Sequence, residues 1–355
     1  MEQKELLLSV KDLTVVFRVR GRTLTAVRNV SLDLYAGETL AVVGESGSGK
    51  SVLTKSFSGM LDSNGYIAGG TVKLYDGGER VLSDLKKPRQ WQQIRGSRIA
   101  TVFQDPMTSL DPVVPIGKQI TAVIRKHRRC SAAQAKREAL EMMEKVGISQ
   151  PQKRFDDYPF QYSGGMRQRI VIAIALSCHP KILICDEPTT ALDVTIQAQI
   201  LQLIKDLQKE LGFAMVFITH DLGVVANIAH RVAVMYAGQI VESGTVQEIF
   251  YDPRHPYTWA LLRSLPQLAQ PGQPLYTIPG TMMSLYSPLP GDPFAPRNPY
   301  CLAIDQLRMP PAFSVSPTHW AKTWLLDPRA PKVPKPEEIS DLHQRLKEAS
   351  LWQET

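Results

Sequence analysis

Cysteine, aromatic residues and long hydrophobic runs are all scarce in this chain of 355 residues. Its four cysteines are scattered along the sequence, which argues against a disulfide framework and favours a reducing compartment. The longest mostly apolar run, Ile170–Cys178, has nine residues, whereas a helix needs roughly 18 to cross a bilayer. We therefore expect no transmembrane helix, and the first residues lack the pattern of a signal peptide.

The overall composition excludes a chain that is disordered throughout. Hydrophobic residues make up 43% of the sequence and charged residues 21%, which is typical of a globular protein with a large core. The length corresponds to about two domains. The net charge of +7 is compatible with an anionic ligand or a membrane surface but requires neither.

Residues 1–250 alternate between short apolar runs and longer segments with helical spacing. This alternation predicts an α/β fold with a parallel sheet that is covered by helices on both faces. The predicted strands are Leu6–Phe17, Thr39–Val43, Ile99–Phe103, Ile182–Cys185 and Ala214–Ile218. The predicted helices are Ser51–Met60, Met166–Leu176 and Val194–Leu211.

Two stretches depart from this alternation. Ile116–Arg129 and Ser131–Val146 have the spacing of two consecutive helices, with Ser131 as an N-cap. They predict a helical subdomain inserted at about residues 105–163. After about residue 250 proline is dense and periodicity is rare, which predicts an irregular extension over residues 251–355. The segment Pro336–Leu351 near its end has helical spacing.

A glycine-rich loop follows the strand Thr39–Val43 and opens the next helix. It has the form G-x-x-x-x-G-K-S and consists of Gly44, Glu45, Ser46, Gly47, Ser48, Gly49, Lys50 and Ser51. A helix N-terminus offers unpaired N–H groups to phosphate, and glycines let the backbone approach it closely. We expect the Lys50 ammonium to reach the β- and γ-phosphates and the Ser51 hydroxyl to ligate Mg²⁺. The alternative is a chance glycine-rich turn.

Two carboxylates stand at the end of the apolar strand Ile182–Cys185. In open α/β sheets, ligands bind at the carboxyl ends of the strands. Asp186 is suited to hold Mg²⁺ through water, and Glu187 is suited to polarise an attacking water. Because strands often end in polar turns, the two carboxylates alone are weak evidence. They become strong evidence together with the glycine-rich loop Gly44–Ser51 upstream, which we call the phosphate loop.

Further motifs, in their order and spacing, resemble those of the ATP-binding cassette (ABC) ATPases. Residues 162–169 resemble the signature motif of that family, and Ser163, Gly164 and Gly165 are retained although Tyr162 and Met166 differ. Three other positions resemble the Q-loop, the D-loop and the H-loop: Gln104, Asp193 (in Ala191–Asp193) and His220. The resemblance implies a P-loop ABC cassette with a parallel sheet core, an antiparallel β subdomain and an inserted helical subdomain, and it implies ATP and Mg²⁺ as ligands.

The resemblance also implies roles for single residues. Gln104 would join Ser51 and Asp186 around Mg²⁺, Glu187 would activate water, and His220 would contact the γ-phosphate. Ser163, Gly164 and Gly165 would bind the γ-phosphate held by a second cassette, and Asp193 of the D-loop would also belong to the ATP-binding residues. The aromatic ring of Phe17 is either a stacking surface for adenine, as in the family, or a core strand residue.

Residues 104–112 and 252–258 narrow the resemblance to the oligopeptide and dipeptide importers, and within them to the D-type ATP-binding subunits. This implies an ATPase that powers import of oligopeptides from the cytoplasmic face of the bacterial cell membrane, to which it binds peripherally. The implied partners are a paralogous F-type ATPase, two membrane permease subunits and an extracellular peptide-binding protein, with no nucleic acid.

Other functions remain open at this point. The solute could be a dipeptide, nickel or another small molecule, because selection lies largely with the binding protein and the permeases. A non-transport ABC ATPase is a further alternative, although such proteins usually carry two cassettes or long inserts. A P-loop kinase or GTPase would leave the signature and the H-loop unexplained.

The extension lacks four cysteines that many members of this subgroup carry in a pattern suited to an iron–sulfur cluster. The corresponding positions hold Asp292, Asn298, Asp305 and Thr323. Because such a cluster needs four cysteine thiolates and only Cys301 is present in the extension, we expect no iron–sulfur cluster. Asp292 and Asp305 could bind a hard cation, but surface carboxylates are usually just solvated, so we expect both to be solvated and the extension to hold no metal. We expect the extension to brace the cassette dimer or touch the permease.

Overall fold

The computed structural model describes residues 5–190, 192–265, 276–286, 290–340 and Leu342. The strands in these ranges are β1 (Leu6–Val19), β2 (Arg22–Tyr35), β3 (Thr39–Val43), β4 (Gly65–Tyr75), β5 (Glu79–Val81), β6 (Ile99–Val102), β7 (Ile182–Asp186), β8 (Ala214–Thr219), β9 (Arg231–Tyr236), β10 (Gln239–Thr245), β11 (Phe313–Ser314) and β12 (Trp320–Ala321). They form two sheets.

The larger sheet has the strand order β11-β12-β10-β9-β3-β8-β7-β6. Its members from β9 to β6 pair in parallel, whereas β10, β12 and β11 are added antiparallel at one edge. Every residue of β3 and β8 is buried, as expected for central strands with helices on both faces. The carboxyl ends of β3, β6, β7 and β8 therefore lie at one edge of this sheet.

The smaller sheet is antiparallel, with the order β2-β1-β4-β5. Its inner face shares a hydrophobic cluster with the larger sheet, which includes Leu8, Val27 and Leu74 from one and Leu40 and Ile184 from the other. The predicted combination of a parallel core and an antiparallel subdomain is confirmed.

The helices in the described ranges are α1 (Lys50–Phe57), α2 (Pro88–Gln92), α3 (Pro106–Ser109), α4 (Ile116–His127), α5 (Ala132–Lys145), α6 (Pro151–Arg154), α7 (Gly164–Leu176), α8 (Val194–Leu211), α9 (Leu222–Ile228), α10 (Val246–Tyr251), α11 (Pro256–Arg263) and α12 (Glu337–Ser340). Ser131 caps α5 by accepting a hydrogen bond from the Gln134 N–H. No helix in this part of the chain is both long enough and apolar enough for a bilayer crossing.

The C-terminal extension packs on the cassette rather than standing apart from it. Tyr257, Phe294 and Leu342 belong to one hydrophobic cluster with Val43 and Val234 of the larger sheet. Strand β12 also pairs with β10 through Glu242 and Ser243. Of the predicted final helix over residues 336–351, the structure describes α12 and Leu342, whereas residues 341 and 343–351 lie outside the described ranges.

Candidate functional site

The phosphate loop connects the end of β3 to the start of α1. Gly49 has φ 105° and Gly44 has φ 150°, conformations that L side chains rarely adopt. A Cβ atom at Gly49 would lie 2.4 Å from the carbonyl oxygen of Ala26, and one at Gly44 would lie 2.1 Å from that of Met235. Both glycines are therefore required by the path of the loop. Ser46 and Gly47 are exposed at its tip, and Ser48 is buried.

Lys50 is folded inward over this loop. Its Nζ donates hydrogen bonds to the carbonyl oxygens of Gly44 at 2.8 Å and Glu45 at 2.9 Å. The residue is 5% exposed, and burial lowers the pKa of its ammonium, opposed by the charges of Glu187 and Asp186. An ammonium that is held by two neutral carbonyl oxygens can turn to a phosphate, which is a stronger acceptor.

Ser51 and Asp186 form the second part of the site. The Ser51 hydroxyl donates to Oδ1 of Asp186 at 2.9 Å. Burial raises the pKa of Asp186, and the hydrogen bond from Ser51 partly offsets this. A hydroxyl and a carboxylate placed together are hard oxygen donors of the kind that Mg²⁺ prefers. These residues therefore fit the magnesium ion that the motifs imply.

Glu187 is the point where three further segments meet. Its Oε2 accepts hydrogen bonds from Gln104 Nε2 and Thr190 Oγ1, both at 3.1 Å, and its Oε1 lies 3.4 Å from Nδ1 of His220. Gln104 follows β6, Glu187 follows β7 and His220 follows β8, so the parallel register brings them together. Thr190 was not singled out from the sequence, where only its nearness to Glu187 could have suggested it.

The backbone of Glu187 is strained. Its φ is 48°, in the left-handed region that costs a residue other than glycine on the order of 1–3 kcal/mol. A hydrogen bond of 3.0 Å from its N–H to the carbonyl oxygen of Ile218 holds this conformation. Strain of this kind concentrates at functional sites, and here it turns the Glu187 carboxylate toward Gln104 and His220.

The signature residues lie at a different place on the surface. Ser163 caps α7, because its Oγ accepts a hydrogen bond of 3.3 Å from the Met166 N–H. Ser163 and Gly164 are exposed, and Gly165 packs beside Ile196 of α8. In the described ranges, no hydrogen bond links these three residues to the phosphate loop. The structure thus leaves an exposed helix N-terminus that is separate from the loop of its own chain.

Two predicted site residues, Phe17 and Asp193, make contacts within the fold. Phe17 is 8% exposed and its ring packs against Gly65, where a Cβ would lie 2.4 Å from the ring. This burial favours the core alternative for Phe17 over a stacking surface. Asp193 is exposed and caps α8 by accepting a hydrogen bond of 2.9 Å from the Ile196 N–H. Ala191, beside it in the D-loop motif, lies outside the described residues.

At the positions of the extension where many members of the subgroup carry cysteines, this chain has polar residues. Asp292 and Asp305 are 4% and 1% exposed, so the expectation of solvated surface carboxylates is wrong. Both lie under the packed loops of the extension, where Phe294 N–H donates to Asp292 and Leu302 N–H donates to Asp305. In the part of the chain that the structure describes, no three His, Cys, Asp or Glu side chains are grouped to hold a metal ion.

Comparison with known proteins accounts for this arrangement. Residues 27–190 match the family model described as ABC transporter, and residues 241–304 match the model of the oligopeptide/dipeptide transporter C-terminal region. The oligopeptide transport ATP-binding protein AmiE of Streptococcus pneumoniae serotype 4 is 62% identical over 347 residues, which cover 98% of this chain and 97% of AmiE. The chain belongs to the ABC transporter family.

Two further relatives complete the comparison. The dipeptide transport ATP-binding protein DppD of Lactococcus lactis subsp. cremoris is 56% identical, with coverage of 97% of this chain and 98% of DppD. The dimeric post-hydrolysis structure of the ATP-binding cassette MJ0796, bound to ADP and Pi, superposes with a TM-score of 0.59 at 27% identity. The match covers 67% of this chain and 98% of MJ0796. The chain thus contains an ATP-binding cassette of the ABC type, and the resemblance found in its motifs is confirmed.

Proposed function

We propose that this chain hydrolyses ATP to energise the import of oligopeptides across the bacterial cell membrane, as a peripheral subunit on the cytoplasmic face. The observation that carries the proposal is the convergence of Ser51, Asp186, Glu187, Gln104 and His220 at the carboxyl edge of one parallel sheet. The solute is proposed from the near full-length similarity to AmiE, whose name describes oligopeptide transport.

In this proposal the phosphate loop binds the triphosphate of ATP. Backbone N–H groups of the loop and of the first residues of α1 would bind the phosphates, and Lys50 would exchange its carbonyl partners for β- and γ-phosphate oxygens. Ser51, Asp186 and Gln104 hold Mg²⁺, which when bound neutralises charge on the phosphates. The preformed bond between Ser51 and Asp186 keeps both oxygen donors in place before nucleotide arrives.

Glu187 positions the water that attacks the γ-phosphate and accepts its proton, so that ADP and phosphate are formed. Gln104, Thr190 and His220 hold its carboxylate from three sides. His220 has 60% of its side chain exposed, which leaves the ring able to turn from Glu187 to the γ-phosphate. The catalytic group is therefore positioned before substrate binds.

We infer that the active site is completed by a second cassette, a paralogous F-type subunit. The exposed residues Ser163, Gly164 and Gly165 at the N-terminus of α7 offer N–H groups to a γ-phosphate held by the partner. Asp193 lies at the start of α8, beside which Gly165 packs. The dimer of MJ0796 bound to ADP and Pi supports this arrangement. ATP would then join two surfaces, and hydrolysis would release them.

Two permease subunits would provide the path across the membrane, and an extracellular binding protein would deliver the peptide. A cavity of about 480 Å³ beside Gln104 is lined by Phe103 and by residues of α3 and α7. Met107 of α3 and Phe160, which precedes α7 in the chain, are 56% and 70% exposed. This apolar surface, between the Q-loop and the helical insertion, supports docking of a short permease helix.

A dipeptide is the second candidate solute. The observation that favours it is the 56% identity to DppD over nearly the whole chain. Oligopeptides remain our first proposal because the similarity to AmiE is higher.

Uptake by intact cells tests the proposal. A strain of the encoding organism that lacks this chain should lose uptake of a labelled tetrapeptide, while uptake of a free amino acid is unchanged. The wild-type gene should restore uptake, and Lys50→Ala should not. A labelled dipeptide measured in parallel decides between the two solutes. Unchanged uptake of both peptides in the deletion strain would refute the proposal.

A further inference from the structure

The C-terminal extension reaches into the phosphate loop at Glu45. The Glu45 carboxylate accepts two parallel hydrogen bonds from the guanidinium of Arg297, one from Nη1 to Oε2 at 2.7 Å and one from Nη2 to Oε1 at 3.0 Å. These residues are 252 positions apart in sequence. Bidentate pairing of arginine with carboxylate fixes orientation as well as charge. One residue of the loop is thus oriented by the extension.

Arg297 is itself rigidly held. Its side chain is 4% exposed, and its Nε donates to the carbonyl oxygen of Pro279 at 2.8 Å. Nη2 also donates to the carbonyl oxygen of Ile278 at 3.2 Å, and Nη1 donates to the Tyr236 hydroxyl at 3.3 Å. The hydrogen bond to Glu45 raises the pKa of Arg297, so its charge is permanent. The guanidinium is a fixed point against which the loop is placed.

A second residue of the extension holds the backbone of Glu45. The Glu45 N–H donates a hydrogen bond of 2.8 Å to the hydroxyl of Tyr257. Tyr257 is fully buried, and its ring lies 4.5 Å from that of Tyr236 and 5.3 Å from that of Phe294, measured between centroids. Since Lys50 donates to the carbonyl oxygen of Glu45, the N–H, the carbonyl and the carboxylate of this residue all have partners.

The charges explain why this pairing matters for a polyanion. Glu45 brings a negative charge into a loop that must accept phosphates, and an unpaired carboxylate there would repel them. Arg297 balances that charge and fixes the carboxylate with two parallel hydrogen bonds. The side chain of Met282, in the same extension, lies beside the tip of the loop, because a Cβ at Gly47 would be 3.4 Å from its Cε. The extension therefore supports the loop from outside.

We propose that Arg297 is a positioning residue for nucleotide binding, and that it acts through Glu45, with Tyr257, to keep the phosphate loop in its binding conformation. This makes the C-terminal extension a working part of the nucleotide site. The inference rests on the proposed function, since it takes residues 44–51 as the site of ATP.

The test compares ADP affinity and steady-state hydrolysis in the full-length chain with its partner subunit. Arg297→Gln should raise the ADP dissociation constant and the KM for ATP about tenfold or more, the effect typical of losing hydrogen bonds to a charged group. The kcat should change much less, because Glu187 is untouched. Arg297→Lys keeps the charge but loses the two parallel hydrogen bonds, and its ADP affinity should lie between those of wild type and Arg297→Gln. Arg263→Gln is the matched control, because it removes the ion pair of α11 with Glu338 and should leave ADP affinity unchanged.

A double-mutant cycle separates positioning from folding. If Arg297 acts through Glu45, Arg297→Gln combined with Glu45→Gln should bind ADP no more weakly than Arg297→Gln alone. Should Arg297→Gln fail to fold, Tyr257→Phe removes one hydroxyl from a ring that stays buried, and it should weaken ADP binding a few-fold. Wild-type ADP affinity in Arg297→Gln or Tyr257→Phe, with only the melting temperature lowered, would overturn the inference.

Lys50→Ala separates a failure of this inference from a failure of the proposed function. If Lys50→Ala abolishes ADP binding while Arg297→Gln does not affect it, the inference about the extension fails alone. If neither substitution affects ADP binding, the proposed function fails with it.

Discussion

Glu187 gathers its contacts from three strand ends. Gln104 and His220 come from segments that follow β6 and β8, and Thr190 comes from the turn after Glu187 itself. The strand ends could be predicted because short apolar runs that end in polar residues are visible in the sequence. The left-handed backbone of Glu187 could not be predicted, because it depends on the hydrogen bond to the Ile218 carbonyl oxygen, which only the pairing of β7 with β8 supplies.

Glu187→Gln tests whether this carboxylate acts as the general base. The amide keeps the size and most of the hydrogen bonds of the carboxylate, but it cannot accept a proton. ATP should bind with near wild-type affinity, and the ATP-bound pair of cassettes should accumulate. Turnover should fall about 10²–10⁴-fold, which is the usual contribution of a positioned general base. Steady-state ATPase assays of the assembled complex, together with ATP titration, would check this; hydrolysis at the wild-type rate would exclude Glu187 as the base.

At the scale of elements, the prediction succeeded where burial on both faces makes a strand apolar throughout. Strands β3 and β8 are of this kind, and the sequence located both to within one residue. Strand β10 was missed because it contains Glu242. That carboxylate is fully buried, and it is satisfied by His319, whose Nε2 lies 2.8 Å away, and by the N–H groups of Arg254 and His255. Partners so distant in sequence cannot be read from the strand itself.

Helix α11 was missed for a similar reason. It lies in the proline-rich region that predicted irregular structure, and its N-cap is His255, whose Nδ1 accepts a hydrogen bond of 3.0 Å from the Tyr257 N–H. Histidine is not among the usual N-cap residues. Burial lowers the pKa of His255 to about 3, so the ring stays neutral and can accept. By contrast, Ser131 is a common cap, and it correctly marked the start of α5.

The loops around Asp292 give a pH-dependent prediction. Burial, together with the nearby charge of Asp305, raises the pKa of Asp292 to about 7. A raised folded-state pKa means that the stability from this group is fully present below the unfolded pKa, about 4, and is lost as the pH rises toward 7. Asp292→Asn should therefore stabilise the chain by on the order of a few kcal/mol at pH 8 and very little at pH 4.

Urea unfolding of both proteins across this pH range measures that difference. Asp327→Asn serves as the control of opposite sign, because hydrogen bonds from Arg329 lower the pKa of Asp327 to about 2. Its removal should cost stability above pH 4, and this cost should shrink as the pH falls from 4 toward and below 2. If wild type and Asp292→Asn have parallel stability curves, Asp292 does not titrate as its burial requires.

Across the whole molecule, the extension packs on the cassette beside the proposed nucleotide site. The motifs that we propose to bind phosphate are local in sequence and could be predicted from it, whereas Arg297 and Tyr257 could not be. Their contacts with Glu45 depend on the hydrophobic cluster that joins Val43 and Val234 to Phe294. The local motifs of such a site can therefore be predicted from the sequence, whereas contacts between distant segments cannot.

In our proposal, ATP hydrolysed at this cassette drives peptide import, and hydrolysis and uptake can be measured together in liposomes. The importer reconstituted with this chain, its partner cassette, the permeases and the binding protein should take up a labelled tetrapeptide only when ATP is present on the cassette side. Lys50→Ala in this chain should reduce hydrolysis and uptake together, and Arg263→Gln should reduce neither. Peptide uptake at the wild-type rate in the Lys50→Ala importer would refute the proposal. So would ATP hydrolysis by the wild-type importer that is not accompanied by uptake when the peptide and its binding protein are present.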